Sequence, residues 1–425
     1  MLQNSGERSV DRHRAARASM SLQRTILLCA AGGFLDGYDL LIMGAALLLL
    51  VPEFHLTPGQ TGLLASLPFL AMALGALTAG RLCDIFGRRI VYLVDVVLFL
   101  VFALLQAVAK DVWQLAVLRF CVGFAIGVDM PTGSSMLAEF SPPNLRGALT
   151  AMLNTAWLLG GCVATFVGYV LYQTTGASAW RWMFAAAAFP AAIIAVLRHG
   201  LPETPYWVRE KTAQLRAGDG LRPSGFAVVL SKEWRRPVAF FTTYWILESF
   251  AGGPAFIYTA LIFQQVIKFQ GASALLLNGI LLATYTAASL ILQFTLLDRW
   301  GRKPFAALAC LLAGSGAVAT AFLPGAGLPL VVAFSVFALA AQLSVLPFWP
   351  WSVEQLPTHL RATGQSIGSA GGKLGMFVGV LIFSPGVIDT MGWQNYFLLV
   401  GGVFLFLVVL VLKCGRETKG FVLSE

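Results

Sequence analysis

The sequence predicts an all-α polytopic membrane protein, with twelve transmembrane helices arranged as two pseudo-symmetric six-helix halves. Three observations predict it. Of the 425 residues 58% are hydrophobic and only 12% charged, about half the charge of an average soluble protein. The apolar residues come in long runs nearly free of charge, as at 90–109, 305–323 and 393–412, and a helix needs about 20 such residues to cross the hydrocarbon. Charged loop motifs of the first half of the chain also recur in the second.

The runs place helices 1 to 12 near 24–51, 60–82, 90–109, 113–140, 147–173, 181–200, 237–267, 274–297, 305–323, 328–356, 361–385 and 393–413. A polar tail, 1–23, precedes them, a polar loop, 201–236, separates the bundles 24–200 and 237–413, and a second tail covers 414–425. Twelve crossings put both termini on one side. With that side cytoplasmic, Lys110, Arg181 and Lys268 fall outside and Arg119 and Lys373 within the membrane, while every other Lys and Arg is cytoplasmic, the bias that orients inner-membrane proteins. Arg198 is counted there with the basic residues of the central loop. The net charge of +9 is thus a topology signal, and no nucleic-acid partner is expected. The Arg-rich start (Arg8, Arg12, Arg14, Arg17, Arg24) meets helix 1 without a small-residue cleavage site and reads as a cytoplasmic tail. The six cysteines show no CxxC or metal-type spacing and read as small packing residues.

The loop after helix 2 reads GRLCDIFGRR and that after helix 8 reads LDRWGRKP, which pairs Asp84 with Asp298 and Arg88 with Arg302 at an offset of 214. Helix 4 ends in AEFSPPNLRG and helix 10 in VEQLPTHLRATG, pairing Glu139 with Glu354 and Arg146 with Arg361 at 215. One such loop is ordinary positive-inside anchoring; matched spacing in both halves marks a repeat, of the kind that sets a solute site between two bundles near the midplane. Asp84, Arg88, Arg89, Glu139, Arg146, Asp298, Arg302, Glu354 and Arg361 crowd one rim. They are read as gating residues whose ion pairs across that rim hold the gate shut, against a plain anchoring and helix-capping role.

Charges inside a membrane are costly unless paired or facing water, so each is a functional candidate. Asp36 and Asp39 lie in GGFLDGYDLLIM of helix 1, ~18 and ~22 Å from its cytoplasmic start and on one face. Helix 4 carries Arg119 toward its outer end and Asp129 near its middle. Arg119 and Asp39 fall at similar depth, so a pair is expected, and protonating the aspartate would release the arginine. Asp95 of helix 3 is read as a helix-packing or lipid-interface acid. Helix 7 holds Glu248 in TTYWILESFAGG, and helix 11 holds Lys373 in SAGGKLG, among small residues that leave room for a solute. Asn154, Trp157, Tyr38, Tyr244, Trp245, Gln342 and Trp349 complete the candidate cavity. Trp351 and Trp113 are read as interfacial. Pro347 and Pro350 flank Trp349 and predict a broken helix 10.

GRLCDIFGRR resembles the loop signature of the major facilitator superfamily, and Arg146-Gly147, LPETPYW (Pro202, Glu203, Pro205) and GRETKG resemble its sugar-porter branch. The resemblance spans the chain and implies the major facilitator fold. It also implies that Asp39 and Arg119 form the proton switch, that Asn154 meets solute hydroxyls and that Trp349 stacks on the solute. GVDMP is similar to the GGDYP signature of phosphate:proton symporters, which makes Asp129 a second protonation candidate, although Met130 stands where the phosphate-contacting tyrosine is expected. A helix-11 lysine like Lys373 meets the anion in those symporters. Glu248 stands where sugar porters carry glutamines.

The function expected is secondary active transport by alternating access: proton-coupled symport of a small polar metabolite, whether sugar, sugar acid or other organic anion. Phosphate:proton symport and proton-driven export of organic cations are the alternatives, and a solute sensor on a transporter fold is a further one. There is no GxxxxGK[ST] and no HExxH, and His13, His55, His199 and His359 lie in the tail or loops, so neither an enzyme nor direct ATP use is expected. The proton is the coupling ion and no cofactor is expected. The partners expected are the bilayer, protons and a small-molecule solute, with a monomer as the working unit.

Overall fold

The computed structural model describes residues 3–141, 146–201, 203, 207–208, 212, 225–229, 231–265, 272–323, 327–356 and 358–419, with side chains from Gln23 onward. Helices 1 to 5 run Gln3–Glu53, Pro58–Phe86, Arg88–Ala107, Val112–Phe140 and Arg146–Thr175. The stretch read as a polar tail is thus helical and continuous with helix 1. Helix 6 is split into Ala179–Ala186 and Ala188–Arg198, and helix 7 into Arg235–Ile257 and Thr259–Gln265. Helix 8, Ala272–Leu292, continues through a π-helical turn, Gln293–Leu297, to Trp300. Helices 9, 11 and 12 are Arg302–Phe322, Thr358–Ile382 and Trp393–Cys414. Helix 10 breaks as its prolines predict, into Leu328–Ser344 and Phe348–Glu354.

Among the described residues nine spans have the length and apolarity to cross a bilayer, and one of them, the 50-residue Leu149–Arg198, holds helices 5 and 6. Helices 7 and 11 are not among the nine, because they carry polar groups inward: Glu248 in one, Ser366, Ser369 and Lys373 in the other.

Between helices in lipid the hydrophobic effect offers little, so close backbone contact decides pairing. Helices 1 and 5, 2 and 4, and 7 and 11 pack most extensively within the halves, and helices 2 with 11 and 5 with 8 between them. Glycines make the crossings. A Cβ on Gly37 would strike the Trp157 carbonyl and one on Gly160 that of Phe34, where helices 1 and 5 cross. Gly123 and Gly127 bring helix 4 onto the backbone of Pro68 and Met72. Gly375 and Gly379 do the same for helix 11 against Ile246 and Phe250.

The end of the bundle that carries the helix 2–3 and 8–9 turns is the tail side. Gly87 and Gly301 make those turns at φ 87° and 100°, a region that side chains disfavour. Each next helix then starts on a carboxylate. Arg88 N and Arg89 N donate to the two oxygens of Glu203 at 3.1 and 3.1 Å, and Arg302 N and Lys303 N to those of Glu417 at 3.0 and 3.0 Å. Helix N-termini leave such donors free and favour negative charge.

The gating expectation needs correcting for the pair the structure describes. Arg302 binds Glu354 at 2.8 Å, and Thr418 Oγ1 also donates to Glu354, but helices 9 and 10 belong to one half, so this ion pair braces a bundle and does not cross the rim. Arg89 donates to His199 O at 3.0 Å, again within one half. A hydrogen bond that does cross on the tail side runs from Thr155 Oγ1 to Gln293 Oε1 at 3.0 Å, from helix 5 to the π turn of helix 8. Apolar Ala151, Leu297 and Leu346 close over it. At the opposite end Gly44 approaches Ile257 O, and Gly62 approaches Leu381 O. The halves therefore touch at both ends. The side chains of Asp84, Glu139, Arg146, Asp298 and Arg361, and residues Pro202 and Pro205, lie outside the described part. Trp351 is not interfacial: it is fully buried, and its Nε1 donates to Arg416 O at 3.0 Å. Trp113 is exposed.

Candidate functional site

The structure brings Asp39 and Arg119 together. Arg119 Nη1 lies 2.6 Å from Asp39 Oδ2, with both side chains at most 1% exposed. The same nitrogen reaches Asp39 O at 3.2 Å and Gln106 Oε1 at 3.4 Å, and the guanidinium lies 5.5 Å from the Phe184 ring centroid. Asp39 Oδ1 and Arg119 Nε have no partner among the described residues. The pair is thus sealed but not saturated. Removing one member of such a pair leaves a bare buried charge, at a cost of about 3–5 kcal/mol. Gln106 was missed in the sequence; its only signal is a lone amide inside the apolar run of helix 3.

A second buried group of charges was not assembled from sequence. Arg198, counted with the cytoplasmic loop, is 1% exposed and reaches into the first half, with Nη1 2.9 Å from Asp95 and Nη2 2.9 Å from Asp129. Its guanidinium lies 3.4 Å from the Tyr92 ring centroid, and Nη1 also reaches Tyr92 O at 3.0 Å. Asp95 is therefore a buried ion-pair member and no lipid-interface acid. Asp36 lines the same small cavity as Asp95, Asp129 and Arg198. Its register explains the division: Asp36 and Asp39 share a helix face three residues apart, and serve different partners at different depths. A signal did exist, since four acids in one half, Asp36, Asp39, Asp95 and Asp129, had only Arg119 to balance them.

In the second half, Lys373 is 8% exposed and lies 5.5 Å from the Trp245 ring centroid. No carboxylate among the described residues is in ion-pair contact with it; the acids within electrostatic range are Asp36, across the halves, and Glu248. Glu248 is buried and accepts from Ser249 Oγ at 3.3 Å. Trp245 packs against Phe348 and Trp349 with centroids 3.7 and 5.7 Å apart, so the break in helix 10 sets its aromatics beside the lysine.

Asn154 Nδ2, Trp157 Nε1, Gln342 Nε2 and Trp349 Nε1 are buried donors without a partner among the described residues, the kind of group a polar solute satisfies. Gln365 Nε2 and Ser366 Oγ, on the Lys373 helix, join them and were missed. Two tyrosines depart from the expected lining. Tyr38 donates to Met183 O at 3.2 Å and Tyr244 to Ser344 O at 2.7 Å, so both hydroxyls stitch their own half together.

Comparison with known proteins bears on this arrangement. The inner membrane metabolite transport protein YgcS of Escherichia coli K12 is 30% identical over 90% of this chain and 89% of its own. The niacin transporter NiaP of Acinetobacter baylyi is 26% identical over 93% of this chain and 94% of its own. Among solved structures, the major facilitator proton:xylose symporter XylE bound to 6-bromo-6-deoxy-D-glucose superposes with TM-score 0.80 at 19% identity, covering 95% of this chain and 98% of the other. The sugar (and other) transporter family matches residues 25–225 and 224–425. Twelve helices in two glycine-crossed bundles, with polar groups turned to the seam between them, make the major facilitator fold, and the chain belongs to the sugar (and other) transporter family.

Proposed function

We propose that this chain is a proton-coupled symporter of a small organic anion, a sugar acid or aromatic carboxylate, and that it works by alternating access in an inner membrane with both termini cytoplasmic. The observation that carries the anion reading is Lys373. A buried ammonium without a carboxylate in contact is costly, and an anionic solute stacked on Trp245 or Trp349 would supply the missing charge. Unpartnered Asn154, Gln342 and Gln365 would take the solute's hydroxyl or carbonyl groups. The niacin transporter relative, whose named solute is a carboxylate, supports this reading.

Asp39 carries the coupling proton in this scheme. Ionised, it holds Arg119 on helix 4; protonated, it lets go, and helices 1 and 4 are free to shift as solute binds. The relatives include a galactose-proton symporter and a proton:xylose symporter, which supports proton coupling here. The Lys and Arg bias supports the orientation, and YgcS, named as an inner membrane protein, supports the location.

The test is a thermal-shift comparison of purified protein with nicotinate, gluconate, phosphate, xylose and galactose, since a ligand of the folded state raises the melting temperature. Stabilisation by an organic carboxylate that disappears in Lys373→Gln is expected. Equal stabilisation of wild type and Lys373→Gln by a neutral sugar would overturn the anion assignment.

A further inference from the structure

The first half buries three carboxyl groups around one guanidinium. Arg198 offers one terminal nitrogen to Asp95 and one to Asp129. Asp36, from helix 1, completes the cavity they line, whose volume of ≈ 10 Å³ is about that of one water. With every group ionised the cluster would hold two uncompensated negative charges on buried side chains. Lys373, on the far side of the seam, is within electrostatic range of Asp36 but forms no ion pair with it.

Two details show where the excess charge is relieved. Arg198 holds the Asp95 and Asp129 carboxyls on its two adjacent terminal nitrogens, at 2.9 Å each, and like charges kept so close favour one of the two acids holding a proton. Asp95 Oδ2 and Asp36 Oδ2 are buried without a donor among the described residues, which a carboxylate tolerates poorly. The remaining neighbours are Tyr92 on helix 3 and Cys29 on helix 1, both fully buried beside Arg198 and Asp129. Toward the tail side the cluster is roofed by Leu28, Met136, Leu137, Leu153 and Leu201, which pack with Tyr92 and Cys29. Water on that side is kept off, and Asp36 faces the seam.

We propose that Asp36, Asp95, Asp129 and Arg198 form a second proton-binding site, separate from the Asp39–Arg119 pair and reached from the central space through Asp36. A proton arriving from the Lys373 side of the seam adds to the Asp36 carboxylate and passes to the Asp95–Asp129 pair; no other bond forms or breaks. Arg198 is a positioning residue: its fork holds the two acceptors together, so that one proton serves both. The proposal deepens the symport reading and rests on it only for the consequence that more than one proton is bound per cycle.

The test is infrared difference spectroscopy of the full-length protein in lipid between mildly acidic and mildly alkaline buffer. All proteins carry Glu248→Gln, so that the helix-7 acid contributes nothing. A protonated-carboxyl band is expected that Asp39→Asn spares and that Asp95→Asn and Asp129→Asn each abolish or shift. Arg198→Lys, which keeps the charge and loses the fork, should move it. A spectrum unchanged by Asp36→Asn, Asp95→Asn and Asp129→Asn overturns the proposal; where those proteins do not fold, an Arg198→Lys spectrum identical to its parent does so. Failure of the symport reading would be seen separately, as solute uptake into vesicles that a proton gradient does not drive, and would leave the band in place.

Discussion

Glu203 and Glu417, 214 positions apart, make the same contact: each closes its carboxylate on the first two N–H groups of the helix that follows a positive-φ glycine, Gly87 or Gly301. The repeat offset read in the loops therefore extends to the acids that grip them. Each carboxylate does the work of a helix N-cap. Glu203→Ala and Glu417→Ala are each expected to destabilise by about 1–2 kcal/mol. Their effects should add in the double variant, because the sites sit in different halves. Thermal unfolding in detergent measures both; a silent single variant would show that the clasp is decorative.

Asp39→Asn should leave solute exchange running while gradient-driven accumulation falls to the equilibrium level. Arg119 would then keep an amide oxygen but lose its counter-charge. Counterflow and proton-driven uptake in the same proteoliposomes, with whichever carboxylate stabilises the protein as the solute, separate the two activities. Full concentrative uptake by Asp39→Asn would remove this residue from the coupling step.

Lys373→Gln and Lys373→Arg should behave differently. The first removes the charge and should weaken carboxylate binding at least tenfold. The second keeps the charge in a larger planar group beside Trp245 and should lose less. Titration of both against a neutral analogue of the same solute provides the control, and a uniform loss for anion and neutral analogue would make the lysine structural.

At the helix 1–5 crossing, Gly37→Val should prevent folding or cost more than about 3 kcal/mol, since the added carbons meet the Trp157 backbone and neither helix can retreat without opening the seam. Gly402→Ala is the contrast. A Cβ there meets nothing within 4 Å, so the substitution should be neutral or stabilise by up to about 1 kcal/mol through helix propensity. Yield of monodisperse protein and melting temperature report on both.

Thr155→Val removes the hydrogen bond that joins the halves on the tail side. Cysteines placed near this contact, in a background without native thiols, are expected to label faster in Thr155→Val than in its parent, with labelling at the opposite end slower. No change at either end would mean that the contact does not hold the gate.

The fold was legible because bilayer physics writes it in long apolar runs, and because the duplicated loop charges gave its internal symmetry. The Asp39–Arg119 contact was legible for a simpler reason: both residues lie inside apolar helices, so their depth could be counted. Arg198 was not. It stands at the last turn of helix 6, where depth counting places it outside, and a long side chain carries its charge back into the bundle to stack on Tyr92. Trp351 failed the same way, since a tryptophan near a helix end is interfacial unless the following tail folds over it. The Tyr38 and Tyr244 hydroxyls were misplaced because facing the interior does not say which carbonyl is nearest.

The two ends of the seam are built of different material. Toward the tails the halves are joined by a side-chain hydrogen bond between Thr155 and Gln293, which water can replace at a net cost of about 0.5–1.5 kcal/mol. At the other end, where Cys162 Sγ also reaches Gly279 O at 3.7 Å, backbone at Gly44 and Gly62 lies against backbone, and parting it forfeits dispersion contacts that no solvent molecule restores in kind. The landscape of the empty carrier is tilted by that difference. Its cheaper excursion is to open on the tail side, whichever way the solute travels.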